Sequence, residues 1–132
     1  MIINVVKLMI KLYNIHTEDH TSEENNFYIG RGSPLGNPFT HDGKRSNLAK
    51  LSFPTREEAI EAYKLYFQEM YKKDSVFKNA FDEIYSKYKN GEDIYLQCFC
   101  HPLACHGQVI IDELQKKLIL ENMNKKKNNL KN

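Results

Sequence analysis

The chain has 132 residues, of which 41% are hydrophobic and 27% charged, and its formal net charge is +2. These values are typical of one globular domain that can bury a core without cross-links. Four of the 19 basic residues lie in the last nine positions, which leaves 15 against 17 acidic residues in the rest. This balance disfavours a nucleic-acid partner, and no apolar run is long enough to suggest a membrane span.

The three cysteines, Cys98, Cys100 and Cys105, lie within eight positions of one another. An odd number at this spacing does not predict a disulfide framework, so we expect a reducing, cytoplasmic environment. The apolar stretch 1–10 lacks the basic leading segment and the cleavage site of a signal peptide. We therefore interpret it as part of a core strand.

The first third of the chain predicts two strands and a long irregular loop. Residues 2–12 are rich in Ile, Val and Leu, which favours a first strand, and a polar, acidic loop follows at 16–26. The β-prone run 27–29 stops at a glycine. Residues 30–39 contain three glycines and two prolines, which excludes regular structure, and a polar connection follows at 40–52.

Two helices are predicted next. Thr55 and Glu58 form a capping-box pattern at the start of the first helix, and Asp74 or Ser75 caps the second, which ends near Asn90. Apolar side chains at helical spacing indicate the buried faces: Ala59, Tyr63, Phe67 and Met70 on the first helix, and Phe77, Phe81, Ile84 and Tyr88 on the second.

The chain closes with a predicted strand at 93–100 and a helix from His106 to about Met123. We predict a single Rossmann-like, three-layer α/β domain over residues 1–123, with a small, mostly parallel sheet and about three main helices. The Lys/Asn-rich segment 124–132 is predicted to be a disordered tail.

The junction between the last strand and the last helix is the first candidate site. Ligands of open α/β sheets bind beyond the carboxyl ends of the strands. A thiolate at a helix N-terminus is stabilised by the helix dipole and by a neighbouring imidazolium. Cys105 and His106 are therefore a candidate catalytic pair, or ligand contacts at the helix start. Gly107 lets a phosphate approach the backbone N–H groups there.

Two other interpretations of this junction stay open. Cys98, Cys100 and Cys105, with His106 or His101, supply four zinc ligands, although the spacing is tighter than that of paired zinc knuckles. Alternatively, the strand cysteines are small buried hydrophobic residues and the histidines only cap the helix.

The loop 30–39 is the second candidate site. An arginine among glycines is suited to bidentate contact with a phosphate or carboxylate, and small polar side chains add hydrogen-bonding groups. The loop lacks the Gly-Lys-Ser/Thr sequence of a P-loop. An ordinary turn with a surface arginine is the alternative. The candidate ligand contacts are Gly30, Arg31, Ser33, Gly36 and Asn37 on this loop, together with Cys100 and Gly107 on the other.

The two segments, YIGRGSPLGNPF at 28–39 and the CxCxPxxCHG pattern at 98–107, resemble the hallmark blocks of a family of small phage, bacterial and archaeal proteins. That family is catalogued as a domain of unknown function, and the resemblance covers roughly residues 27–115. It implies a Rossmann-like α/β fold and a phage or prophage origin. The site positions that it implies are Arg31, Asn37, Cys100, Cys105 and His106. A looser similarity to a second family with Cys-His-Arg at this helix start breaks down at Gly107.

These observations predict a cytoplasmic domain that binds or processes a small, nucleotide-like, phosphate-bearing ligand in a cleft between the two loops. They do not decide whether the ligand is turned over, and they leave the oligomeric state open. One alternative is a zinc-stabilised interaction module. Another is a phage-encoded trap that sequesters a host nucleotide signal in the host cytoplasm. The leading hypothesis requires no cofactor.

Overall fold

The computed structural model describes residues 9–40, 51–99, 103 and 105–130. The predicted first strand lies partly outside this range, and its described part runs two residues beyond the predicted end. The strands are β1 (Ile10–Asn14), β2 (Asn26–Tyr28), β3 (Phe39–Thr40), β4 (Leu51–Ser52) and β5 (Ile94–Cys98). The helices are α1 (Arg56–Lys73), α2 (Ser75–Lys89) and α3 (Gly107–Leu130).

Three parallel strands form the main sheet, in the order β1-β5-β2. Leu96 in the central strand pairs with Leu12 on one side and with Phe27 on the other. β3 and β4 pair separately, also in parallel. Because parallel strands end at the same edge, the carboxyl ends of β1, β2 and β5 lie together. The predicted α/β class, with a small parallel sheet and three main helices, is confirmed.

The helices pack on one face of the main sheet. Ile94, Leu96 and Cys98 alternate along β5 and belong to one core cluster with buried residues from all three helices. The intervening residues of β5 face the other side, where the loop 15–25 lies. There the His20 ring stacks on Tyr95 with the ring centroids 4.9 Å apart. The sheet therefore lies between a layer of helices and a layer formed by this loop.

The helix ends follow the predicted capping chemistry. The Thr55 hydroxyl accepts the N–H of Glu58 at 3.1 Å, and the Asp74 carboxylate accepts the N–H of Phe77 at 3.0 Å. Gly91 follows α2 with a φ of 86°, in the left-handed region that glycine tolerates best. The sequence thus predicted these boundaries from local hydrogen bonding alone.

α3 is longer than the sequence predicted. It continues to Leu130 and includes most of the segment expected to be a disordered tail. No glycine or proline follows Gly107 in this stretch, and lysine is a good helix former, so nothing local ends the helix earlier. Neither α3 nor any other helix among the described residues combines the length and apolar composition that crossing a bilayer requires.

Candidate functional site

The two predicted loops meet at the carboxyl edge of the main sheet. Ile29, the residue before the loop 30–39, donates its N–H to the carbonyl of Gln97 in β5 at 3.0 Å. The carbonyl oxygen of Ile29 accepts a hydrogen bond from the His106 ring at 2.6 Å, just before α3. One buried residue therefore joins the end of the sheet, the arginine-bearing loop and the start of α3.

His106 is buried and packs edge-on against the Tyr63 ring, with the centroids 5.0 Å apart. Because a carbonyl oxygen can only accept, Nε2 of His106 carries the proton in the neutral ring. Burial lowers the pKa of His106 from 6.5 to about 4, although the bond to Ile29 opposes this, and the positive charge of Arg31 lowers it further. The imidazole is therefore neutral at pH 7.

Arg31 is half-buried at the start of the loop. Its guanidinium donates to the carbonyl oxygen of Asn37 across the loop. The side-chain oxygen of Asn37 in turn accepts the N–H of Phe39 at 2.9 Å. These bonds fix the position of the arginine relative to the rest of the loop.

The backbone of the loop folds into successive tight turns. The N–H and the hydroxyl of Ser33 both donate to the carbonyl of Gly30, at 3.1 Å and 2.6 Å, and the N–H of Gly36 donates to the carbonyl of Ser33 at 3.0 Å. A Cβ at Gly36 would lie 2.5 Å from the carbonyl oxygen of Gly30. Glycine at position 36 is thus required by backbone packing within the loop, because any larger residue collides with the first turn.

Tyr63 of α1 connects the loop 30–39 to the core. Its hydroxyl donates to the carbonyl oxygen of Leu35 at 2.6 Å, and both residues are buried. Burial raises the pKa of Tyr63 well above 10, and the neighbouring Tyr66 and Cys105 add to the effect. The sequence predicted Tyr63 as a core residue only, because helical spacing shows that a side chain is buried but not what its hydroxyl bonds.

Cys105 and Cys98 both belong to the hydrophobic core, at 4% and 1% exposure. The backbone N–H of Gly107 donates to the Cys105 sulfur at 3.3 Å. A Cβ at Gly107 would lie 2.6 Å from Cδ1 of Leu12, so this glycine allows α3 to pack closely against β1. The described contacts of Gly107 are with the core of the protein.

Cys100 and His101 lie outside the described residues, so the predicted roles of Cys100 stay predictions. The zinc set of Cys98, Cys100, Cys105 and His106 also depends on Cys100. Among the residues that the structure does describe, no group of three or more His, Cys, Asp or Glu side chains is placed to hold a metal ion.

Three aromatic residues at the same edge were not predicted as site residues. His16 follows β1, Tyr28 ends β2 and Phe99 follows β5. The sequence places His16 in the polar loop 16–26, and Tyr28 and Phe99 in predicted strands. The available signal was position, because each lies at the end of a parallel strand, where α/β proteins bind ligands.

Comparison with known families places the chain among proteins that share this domain. The family described as Domain of unknown function (DUF4326) matches residues 13–116. The chain belongs to the DUF4326 family. The DUF4326 match includes both predicted loops, α1, α2, β5 and the first part of α3. No curated protein and no solved structure matches the chain.

Proposed function

We propose that the protein binds a small, phosphate-bearing, nucleotide-like ligand between the loop 30–39 and the start of α3. The observation that carries this proposal is the convergence of Arg31 with the N-terminus of α3. His106, at the start of α3, bonds to the residue two positions before Arg31, and the arginine is close enough to lower the pKa of His106. A guanidinium and a helix N-terminus both attract anions.

The loop 30–39 is held in place before any ligand binds, which favours binding of an anion. Arg31 is held by Asn37, and the loop is fastened to the core through the bond between Leu35 and Tyr63. A loop that is already ordered loses little conformational entropy when a ligand binds. Because His106 is neutral at pH 7, the positive charge of the site comes from Arg31. We place this binding in the cytoplasm on the grounds of cysteine content.

Binding without turnover is the form of the proposal that the described groups support better. Cys105 is almost fully buried, and a pKa of about 4 makes His106 a weak base at neutral pH. A trap that releases its ligand unchanged requires neither group to react. Processing through Cys105 is the second candidate, and the observation that favours it is the Gly107 N–H directed at its sulfur.

Isothermal titration calorimetry tests the binding. The probes are inorganic pyrophosphate, ribose 5-phosphate and the four nucleoside monophosphates AMP, GMP, CMP and UMP. We expect at least one to bind the wild type and Arg31→Met to weaken it at least about tenfold, since a charge-assisted bidentate contact is lost. Lys72→Met, which removes an exposed cation from the last turn of α1, is the matched control.

The proposal fails if none of these probes binds the wild type, or if Arg31→Met binds as tightly as Lys72→Met. Incubation followed by phosphorus NMR separates the two candidates. Recovery of intact probe supports binding alone. A new phosphorus signal that disappears in Cys105→Ser supports processing.

A further inference from the structure

His16, Tyr28 and Phe99 form a continuous group at the carboxyl edge of the main sheet, which we call the aromatic rim. His16 follows β1, Tyr28 ends β2, and Phe99 follows the central strand β5. The Phe99 ring centroid lies 5.8 Å from that of Tyr28 and 5.6 Å from that of His16. The rim therefore extends across the full width of the sheet.

The rim is exposed, in contrast to the phenylalanines of the helices. Phe99 is 50% exposed and Tyr28 is 39% exposed, whereas Phe67, Phe77 and Phe81 are each at most 3% exposed. A phenylalanine immediately after a core strand is normally covered, since burial of its ring is favourable. These exposed rings lie at the edge where open α/β sheets bind ligands, which makes them candidate ligand contacts.

The rim is also ordered by its neighbours. The amide nitrogen of Asn14 donates to the carbonyl of Phe99 at 3.1 Å, and the amide oxygen of Asn14 accepts the N–H of His16 at 2.9 Å. One side chain at the end of β1 thus fixes the backbone that carries two of the rings.

The rim is directly connected to the arginine-bearing loop. The hydroxyl of Tyr28 donates to the carbonyl oxygen of Arg31 at 2.9 Å. Phe99 follows β5 and Arg31 follows the adjacent strand β2, so the ring and the guanidinium belong to neighbouring strands. A nucleoside monophosphate has an anionic group at one end and a flat ring at the other, which suits contact with both.

We propose that Phe99, flanked by Tyr28 and His16, is the platform on which the base of a nucleotide ligand stacks. The inference rests on the proposed function and adds the part of the ligand that the rim recognises. It excludes a sugar phosphate without a base as the preferred ligand. Stacking on an aromatic side chain tolerates different bases, since each has a π face.

Calorimetric titration of the four nucleoside monophosphates against ribose 5-phosphate, which lacks only the base, tests the inference. We expect at least one nucleotide to bind about 5- to 150-fold tighter than ribose 5-phosphate. Phe99→Ala removes this preference and leaves the affinity for ribose 5-phosphate within about twofold. Phe99→Trp retains the preference. Leu65→Ala, at a 74% exposed position on α1, is the control and changes neither affinity.

Phe99→Leu is the second variant, because it keeps an apolar side chain but removes the π face, and circular dichroism confirms that each variant folds. The inference is overturned if Phe99→Leu retains the nucleotide preference, or if the wild type binds nucleotides and ribose 5-phosphate equally. Equal binding would leave the proposed function standing. Binding of none of the phosphate compounds would overturn both.

Discussion

Nε2 of His106 lies 2.6 Å from the carbonyl oxygen of Ile29, and this contact connects the start of α3 to the loop that carries Arg31. Protonation of the ring would leave this hydrogen bond in place, since Nε2 is the donor in both forms. It would instead add a buried positive charge beside Arg31. The neutral state of His106 is therefore a condition for the stability of the site.

The stability of the protein should fall as the pH is lowered from about 6.5 to about 4. The pKa of His106 is lowered from 6.5 to about 4 in the folded state, so in this range the unfolded chain binds a proton that the folded one does not. The contribution is fully present above pH 6.5. It amounts to up to about 3 kcal/mol and is lost progressively toward pH 4. Urea unfolding at pH 7.5, 6, 5 and 4.5 measures it.

His106→Gln isolates this contribution, because glutamine is a neutral donor that does not titrate. We expect the variant to be less stable than the wild type at pH 7.5, since it packs less well against Tyr63. Its stability should change less between pH 6.5 and 4.5. An equal fall in the wild type and in His106→Gln would show that His106 is not its source.

The Tyr63 hydroxyl should contribute both to the stability of the core and to ligand binding by the loop 30–39. Tyr63→Phe keeps the ring but leaves the buried carbonyl of Leu35 without the donor that now lies at 2.6 Å. We expect a loss of about 1–3 kcal/mol in the free energy of unfolding, measured by urea titration. Because the same bond fastens the loop 30–39, Tyr63→Phe should also weaken binding of the phosphate-bearing probes.

Tyr71→Phe is the matched control, about two helical turns further along α1. It removes a hydroxyl that donates to Asp82 at 2.7 Å and accepts from Lys117 at 2.8 Å, so stability should fall here too. Probe affinity should not change. Equal weakening of binding in both tyrosine variants would mean that the loop responds to general stability rather than to the contact with Leu35.

Lys117 of α3 should stabilise the packing of the three helices. Its ammonium group lies 4.7 Å from the ring centroid of Tyr85 and donates to Asp82 at 3.1 Å. We expect Lys117→Met to reduce the free energy of unfolding by about 1 kcal/mol, because a partly desolvated cation–π contact and an ion pair are lost. Lys116→Met, at the adjacent exposed position, should change it by less than about 0.5 kcal/mol. Equal losses in urea unfolding would contradict a specific role for Lys117.

Local features of the fold were predictable because the sequence carries them within a few residues. Thr55 with Glu58 and Asp74 before α2 define helix starts through hydrogen bonds that span one turn. Strand order was not predictable in the same way. The insertion of β5 between β1 and β2 depends on packing between residues about 70 to 85 positions apart.

The features of the candidate site also divide into those that local sequence predicts and those that depend on tertiary packing. Loop composition identified Arg31 and the turns around it, and strand-to-helix spacing identified the start of α3. Burial of the His106 ring and the bond from Tyr63 to Leu35 were not predictable, because histidine and tyrosine occur both in cores and at surfaces. The exposure of Phe99 was equally unpredictable. Strand alternation assigns a side chain to one face of the sheet, but it does not show whether another element packs on that face.

Substitution of Gly36 tests whether ligand binding depends on the geometry of the loop or on the stability of the whole fold. Gly36→Ala places a methyl group 2.5 Å from the carbonyl oxygen of Gly30 and 3.1 Å from that of Ser33. Backbone atoms cannot rotate away as a side chain can, so the turn carrying Arg31 must shift. We expect a loss of about 1–3 kcal/mol in the free energy of unfolding, and at least tenfold weaker binding of the phosphate-bearing probes.

Gly91→Ala supplies a control with a similar cost at a distant place. Gly91 has a φ of 86° after α2, where an alanine costs about 1–2 kcal/mol through backbone strain. Since Gly91 lies at the amino end of β5, opposite the candidate site, its substitution should lower stability and leave probe affinity unchanged. If Gly36→Ala and Gly91→Ala weaken binding equally, affinity follows overall stability. If only Gly36→Ala does so, the position of the Arg31 turn determines whether the anion binds.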